Sequence, residues 1–259
     1  MNHLNWKLSS LAAAGCAFIG AAQPALAVEE TTVTFDHGKQ GWQGPQGSGG
    51  FSWISRRMGN QRPAYRTVFE DFGITFRNDS SAFTGDYTAV PALELGLDVK
   101  TNALSFFGSD VTRQLAVELR DYDGAPDGMP YVSVWYVLGT LDAAKTGWET
   151  LSVKITDTTA AALPTGWGGY GAEDPVTYEP ILPAGRTFAS VLAGVDEIAF
   201  TTLVPGYFFG AADFDVVVDN LFVRPLAAVP EPAPAALLAL GLAGLAWRAR
   251  KTGTPALRG

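Results

Sequence analysis

Gln114-Leu115-Ala116-Val117-Glu118-Leu119-Arg120-Asp121 sets Leu115, Val117 and Leu119 on alternate positions, with Ala116, Glu118 and Arg120 between them. A period of two sends successive side chains to opposite faces of a sheet, so the stretch reads as a strand with one face in a core and the other wet. It runs into Asp121-Tyr122-Asp123-Gly124-Ala125-Pro126-Asp127-Gly128, a loop with two Asp-Gly turn signals, and a second β-branched and aromatic run follows over 131–138. Outward from this pair, runs rich in Val, Ile, Thr, Phe, Tyr and Trp, bounded by Gly, Pro, Asn and Asp, predict strands over 31–35, 73–77, 103–107, 149–155, 197–202 and 214–223. No long helical period interrupts them. Strands this numerous must bury their apolar faces against one another, so the fold class expected is all-β, an antiparallel β-sandwich occupying residues 28–226.

Across that segment 25 Asp and Glu stand against 13 Lys and Arg, a formal charge of −12. Such a field repels polyanions at long range and excludes general nucleic-acid binding, which draws its affinity from neutralising phosphates. The single cysteine, Cys16, lies ahead of the segment, so the domain has no disulfide, zinc-thiolate site or thiol nucleophile. Its one histidine is His37, and no Gly-x-Ser-x-Gly elbow or His-Glu-x-x-His pair occurs. Carboxylate pairs are the remaining catalytic option, with Asp121, Asp123 and Asp127 close in sequence. A carboxylate-rich turn is more often a solvated loop, so the expectation is a protein that is not an enzyme. A secreted carboxylate-dependent glycan-active enzyme and a structural matrix protein without a ligand are the alternatives. Aromatics beside glycines, Trp167 and Tyr170 in Trp167-Gly168-Gly169-Tyr170 and Tyr207 in Pro205-Gly206-Tyr207-Phe208-Phe209, are the candidate ligand-binding residues, because sugar rings stack on flat apolar faces. The competing reading anchors such rings in the end of the core. Arg56, Arg57, Arg62 and Arg66 form a local basic cluster.

The two ends read as targeting segments. Residues 1–27 have Lys7 as a positive start, an apolar and small-residue run over 8–22, and Ala25-Leu26-Ala27 ahead of an expected cleavage before Val28, the pattern of a secretory signal peptide. Ala13-Ala14-Gly15-Cys16 offers a rival lipoprotein box without its usual leucine. Residues 227–259 hold Val229-Pro230-Glu231-Pro232, then an apolar run over 233–247, then a basic tail over 248–259 that begins with Arg248, Arg250 and Lys251. About fifteen helical residues reach only ~22 Å, against a hydrocarbon core of ~30 Å. The basic cluster lengthens that reach by snorkelling and marks the cytoplasmic side.

This order resembles the PEP-CTERM sorting signal of Gram-negative bacteria that make exopolysaccharide. Pro230, Glu231 and Pro232 match the motif, 235–247 its transmembrane helix, and Arg248, Arg250 and Lys251 its basic stop, although the tail 252–259 runs on past the usual end. The resemblance implies an integral-membrane exosortase as processing partner. It also implies export through the secretion translocon with signal peptidase, transient anchoring in the inner membrane, and a final place at the cell surface or in the extracellular matrix of a biofilm. A second resemblance rests on Phe35-Asp36-His37-Gly38, Gly41-Trp42 and the closing Asp215-Val216-Val217-Val218-Asp219-Asn220-Leu221. These look like the first and last strands of jelly-roll, galactose-binding-like domains and carbohydrate-binding modules. That likeness implies carbohydrate, here exopolysaccharide, as ligand. It also implies a structural calcium ion between Asp36 and Asp219, with no other cofactor.

In the native host, the mature protein is expected to begin near Val28 and to end near the Pro-Glu-Pro segment, as read by intact mass. Glu231→Ala should leave the C-terminus intact, and identical masses from both chains would remove the processing expectation.

Overall fold

The computed structural model describes residues 29–60 and 63–226. The first strands are β1 (Thr31–Val33), β2 (Gln46–Gly47), β3 (Gly50–Ser55), β4 (Ala64–Asp71) and β5 (Thr75–Asn78). The middle of the chain supplies β6 (Leu93–Phe106), β7 (Ser109–Asp110), β8 (Thr112–Asp121), β9 (Val132–Asp142) and β10 (Glu149–Ile155). It closes with β11 (Trp167–Tyr170), β12 (Ala172–Glu173), β13 (Pro180–Ile181), β14 (Glu197–Thr201) and β15 (Ala212–Pro225). The one α-helix among the described residues, α1 (Phe188–Leu192), is a single turn held by a capping box between Thr187 and Ser190.

Two antiparallel sheets result. The larger has the order β10-β6-β15-β4-β3-β2, with β1 joined to β15 and β7 to β6; the smaller has the order β11-β9-β8-β14-β5. β12 and β13 pair alone beside them. The fold is an antiparallel β-sandwich, as the sequence predicts. β10 matches the expected 149–155 to the residue, whereas β6 begins ten residues before the expected 103. β3 and β4 are additional strands, and Trp167-Gly168-Gly169-Tyr170, expected as a loop, is β11 at the edge of the smaller sheet.

Between the sheets lie Leu95 and Leu97 of β6, Val117 and Leu119 of β8, Ile198 and Phe200 of β14 and Val216 of β15, all without exposed surface. Trp42, from the expected Gly41-Trp42 signature, stacks on Phe200 at 5.6 Å and meets Phe83 edge-on at 5.1 Å, so it fastens the first loop to the smaller sheet. Tyr87 is fully buried and donates its hydroxyl to the Phe83 carbonyl oxygen at 2.6 Å.

Burial pushes the Tyr87 phenol above its ordinary range. Below about pH 10 it is protonated in both folded and unfolded chains. Above that, only the unfolded chain ionises readily, so alkali should withdraw stability. The urea midpoint is expected to fall as pH rises through 10, and Tyr87→Phe should make that decline shallower. An identical alkaline decline in the variant would show that Tyr87 carries none of it.

Candidate functional site

The register of the smaller sheet sets two rows of side chains on its outer face. Gly168, Trp135, Glu118, Ala199 and Arg77 lie opposite one another across β11, β9, β8, β14 and β5. One step along, Tyr170, Ser133, Arg120 and Glu197 form the second row. Their neighbours of opposite parity, Leu119, Val134 and Ile198, fill the core, so these rows point away from it. The face was expected to be wet, yet Glu118 is only 1% exposed. Its own polar side chains cover it.

Arg120 is the centre of that cover. Its Nε and Nη2 donate to Glu118 Oε2 at 2.8 and 2.6 Å, and its Nη1 donates to Glu197 Oε1 at 2.6 Å. Ser133 Oγ donates to the other oxygen of Glu118 at 2.6 Å, and the Tyr122 hydroxyl donates to Glu197 Oε1 at 3.3 Å. Burial works to lower the Arg120 guanidinium, but the two glutamates outweigh it and hold it above its ordinary value. The cation lies over the Tyr131 ring, 4.6 Å from its centroid. Tyr131 in turn meets Tyr122 at 5.7 Å and Tyr170 at 5.3 Å. Burial, reinforced by the nearby glutamates, raises the Tyr122 and Tyr131 phenols, so both stay neutral and can donate as well as accept hydrogen bonds.

Two flanking features shape the surface. Trp135 lies against Gly168, where an added Cβ would come 2.2 Å from the indole ring, and its Nε1 donates to the Gly169 carbonyl oxygen at 3.3 Å. The glycines of β11 are therefore needed for close approach rather than for a turn. At the β5 edge a cavity of about 610 Å³ has Arg120, Arg77, Gln43, Lys39, Asp71 and Leu203 among its lining residues.

The expected ligand residues separate. Tyr170 belongs to the tyrosine cluster on this face. Trp167 does not: it is 8% exposed and packs on Phe188 at 5.1 Å and Tyr136 at 5.5 Å, because its position in β11 turns it toward the core. Tyr207 is exposed in the loop after β14, beside Phe208, which meets Phe72 of the loop after β4 at 5.2 Å. Of the basic cluster, Arg66 is held by Asp215 through hydrogen bonds of 2.8 and 2.5 Å, while Arg62 lies outside the described residues. In the acidic turn, Asp121 is buried and paired with Arg186, whereas Asp123 and Asp127 are exposed.

The calcium expectation falls on the larger sheet. Asp36 is exposed and accepts from Thr34 Oγ1 at 2.8 Å. Asp219 is buried, and the carboxylate set opposite it by register is Asp98 of β6. Asn60 bridges the two, its backbone N–H donating to Asp219 at 2.9 Å and its side-chain amide to Asp98 at 2.7 Å, and the Asn220 amide reaches Asp98 at 2.7 Å. As placed, both amides and the Asn60 backbone turn N–H donors toward these carboxylates, so their oxygens are engaged by the protein itself.

Comparison with known proteins bears on the C-terminus and on the sandwich separately. Residues 228–251 match the PEP-CTERM protein-sorting motif. The chain carries a PEP-CTERM sorting segment. Pro230, Glu231, Pro232, the apolar run, Arg248, Arg250 and Lys251 all fall inside that match; they, the expected signal peptide and its expected boundary at 27 lie outside the described residues. No helix among the described residues is long and apolar enough to cross a membrane. No protein of curated function matches the sequence.

Among solved structures, a family 11 carbohydrate-binding module from Clostridium thermocellum, in complex with a β-1,3-1,4-mixed-linked tetrasaccharide, aligns with a TM-score of 0.42 and 16% identity over 76% of this chain and 96% of that one. The CBM22-1–GH10 modules of the Clostridium thermocellum endo-1,4-β-D-xylanase 10B, complexed with xylohexaose, align with a TM-score of 0.44 and 12% identity over 76% of this chain. The match spans only 28% of that longer chain. An exo-β-agarase gives 0.43 and 12% over 79% of this chain and 25% of its own. Ligand and activity have to come from this chain's own surface.

Replacing Arg120 by Met leaves Glu118 and Glu197, with side chains only 1% and 6% exposed, without their shared cation. Removing one partner of a buried ion pair costs about 3–5 kcal/mol, so urea unfolding should show a loss of that size. A loss under about 1 kcal/mol, the range of exposed pairs, would mean that the network is solvated.

Proposed function

We propose that this is an exported protein, processed by an exosortase-type membrane enzyme, whose sandwich binds exopolysaccharide on the outer face of the smaller sheet. In this reading, residues 1–27 take it through the translocon, the C-terminal helix holds it briefly in the inner membrane, and it ends at the cell surface or in the matrix. The sorting motif supports the first half. The second half rests on one observation: Tyr122, Tyr131 and Tyr170 form a continuous cluster on a sheet face, backed by the fixed Arg120 network, and Arg120 also lines the groove at the β5 edge.

Rings in such a cluster offer apolar faces to sugar rings, and their neutral hydroxyls exchange hydrogen bonds with sugar hydroxyls. Because Arg120 is already satisfied by protein, the scaffold under the rings is preorganised and little ordering is left to binding. The same commitment favours binding over hydrolysis. A glycosidase needs an acid and a base turned toward the substrate, and Glu118 and Glu197 both direct oxygens to Arg120. A structural calcium ion, expected at Asp36 and Asp219, would brace the other sheet and take no part in binding.

The full chain is expected to be retarded in affinity gels containing exopolysaccharide of the native host. Tyr131→Ala should weaken retention about tenfold, or ~1.4 kcal/mol, without lowering the thermal midpoint enough to unfold the domain. New reducing ends from the polymer would replace the binding reading by the glycan-active enzyme. Unretarded migration of the wild-type chain would leave a matrix protein without a carbohydrate ligand.

A further inference from the structure

Resting on that binding site, we infer that its ligand is an anionic polysaccharide, whose acidic groups are received by Lys39 and Arg77 in the groove at the β5 edge. The lining of that groove inverts the charge of the protein around it. In a segment of formal charge −12, it holds three cations, Lys39, Arg77 and Arg120, and one acid, Asp71.

The three cations are not equivalent. Arg120 is occupied by its two glutamates at 2.6 Å each. Arg77 is half exposed, and its only carboxylate contact among the described residues, Glu197, stands at 3.6 Å, beyond hydrogen-bonding range. Its Nη2 reaches Gln43 Oε1 only at 3.5 Å. The Arg77 guanidinium is thus held only by two long contacts while lining the groove. Lys39 forms no ion pair among the described residues; its ammonium lies 5.2 Å from the Tyr65 centroid, a contact that leaves its N–H donors available. Asp71, the acid of that lining, already accepts the Phe72 backbone N–H at 2.8 Å.

A neutral glycan lying in this groove would strip water from two cations and return no charge, which is costly. An oxyanion on the sugar repays both: the guanidinium fork takes a carboxylate through two parallel bonds, and the ammonium adds a point charge beside it. From β5 to β11 the face spans four inter-strand gaps, about 19 Å. One polymer chain can thus set its acidic groups at the β5 edge and its apolar ring faces on the tyrosines near β11. Carboxylate and sulfate ester share this chemistry, and polymers bearing each distinguish them.

The test is affinity electrophoresis of the full chain in detergent against polygalacturonate, its fully methyl-esterified form, dextran sulfate and a mixed-linked β-glucan. Retardation by an acidic polymer should weaken about tenfold with Lys39→Gln plus Arg77→Gln and fade with rising ionic strength. Esterification should weaken polygalacturonate equally, a comparison made on the wild-type chain and so independent of how the variant folds. Stronger retention by dextran sulfate than by polygalacturonate would assign the sulfate ester. Esterified polymer or β-glucan bound as tightly as the acidic polymers would overturn the anionic assignment and leave the tyrosine-face reading standing. No retention by any of the four, or by the exopolysaccharide of the host, would overturn both.

Discussion

β15 pairs with β6 from Asp213 to Pro225, with β4 from Ala212 to Val218, and with β1 from Leu221 to Val223. The last strand of the domain is thus the middle of its larger sheet, and the first strand has no partner until the last arrives. Val216 and Val218 of β15 are fully buried, so the pairing also supplies the floor of the core against which the smaller sheet closes. Two register shifts, at Asp215/Val216 and between Asp219 and Phe222, bend so long a ladder. The second places Asn220 in the left-handed region, at φ 47°, and turns its amide onto Asp98.

The smaller sheet is held differently on its two faces. Inside, aliphatic and aromatic side chains exclude water. Outside, one guanidinium is shared by two carboxylates beneath a ring. A buried ionic cluster is weak evidence of stability, since apolar replacements of similar volume are often as stable, but removing one member is severe. What the cluster provides is a fixed polar floor: Arg120 cannot swing away from Tyr131 without abandoning Glu118 and Glu197. The tyrosines above it therefore hold their mutual angles before any ligand arrives, and the groove beside them keeps its two less committed cations apart from the neutralised one.

Much of this was legible in the chain. Alternation of Leu115, Val117 and Leu119 identified β8, and β10 was read to the residue. In β6, Leu93, Leu95, Leu97 and Val99 carry the same alternation, but Gly96, Glu94 and Asp98 between them resemble turn composition and hid it. β11 was hidden for a related reason: Trp-Gly-Gly-Tyr suits a loop, and only the three-dimensional structure shows that Gly168 is there to let the Trp135 ring lie flat. As a loop the stretch leaves Trp167 open between a surface and a core position, and its parity in β11 sets it inward. Tyr170 stands out in the sequence as an aromatic beside glycines, whereas its partners Tyr131 and Arg120 read only as strand residues. Their proximity is set by strand register between β8, β9 and β14, which no local pattern encodes.

A sheet whose central strand is the last to emerge keeps the chain unable to complete its fold until residue 225 is free, only three positions before the sorting match begins at 228. On the proposed export route this would act as a built-in delay, keeping the polypeptide threadable until its last strand is free. Once the strand docks, the ordered sheet ends at Pro225, close in sequence to the sorting match. A processing enzyme of the proposed kind would then find its recognition sequence separated from a folded strand by very little chain, so the bulk of the sandwich enters into whether it can bind.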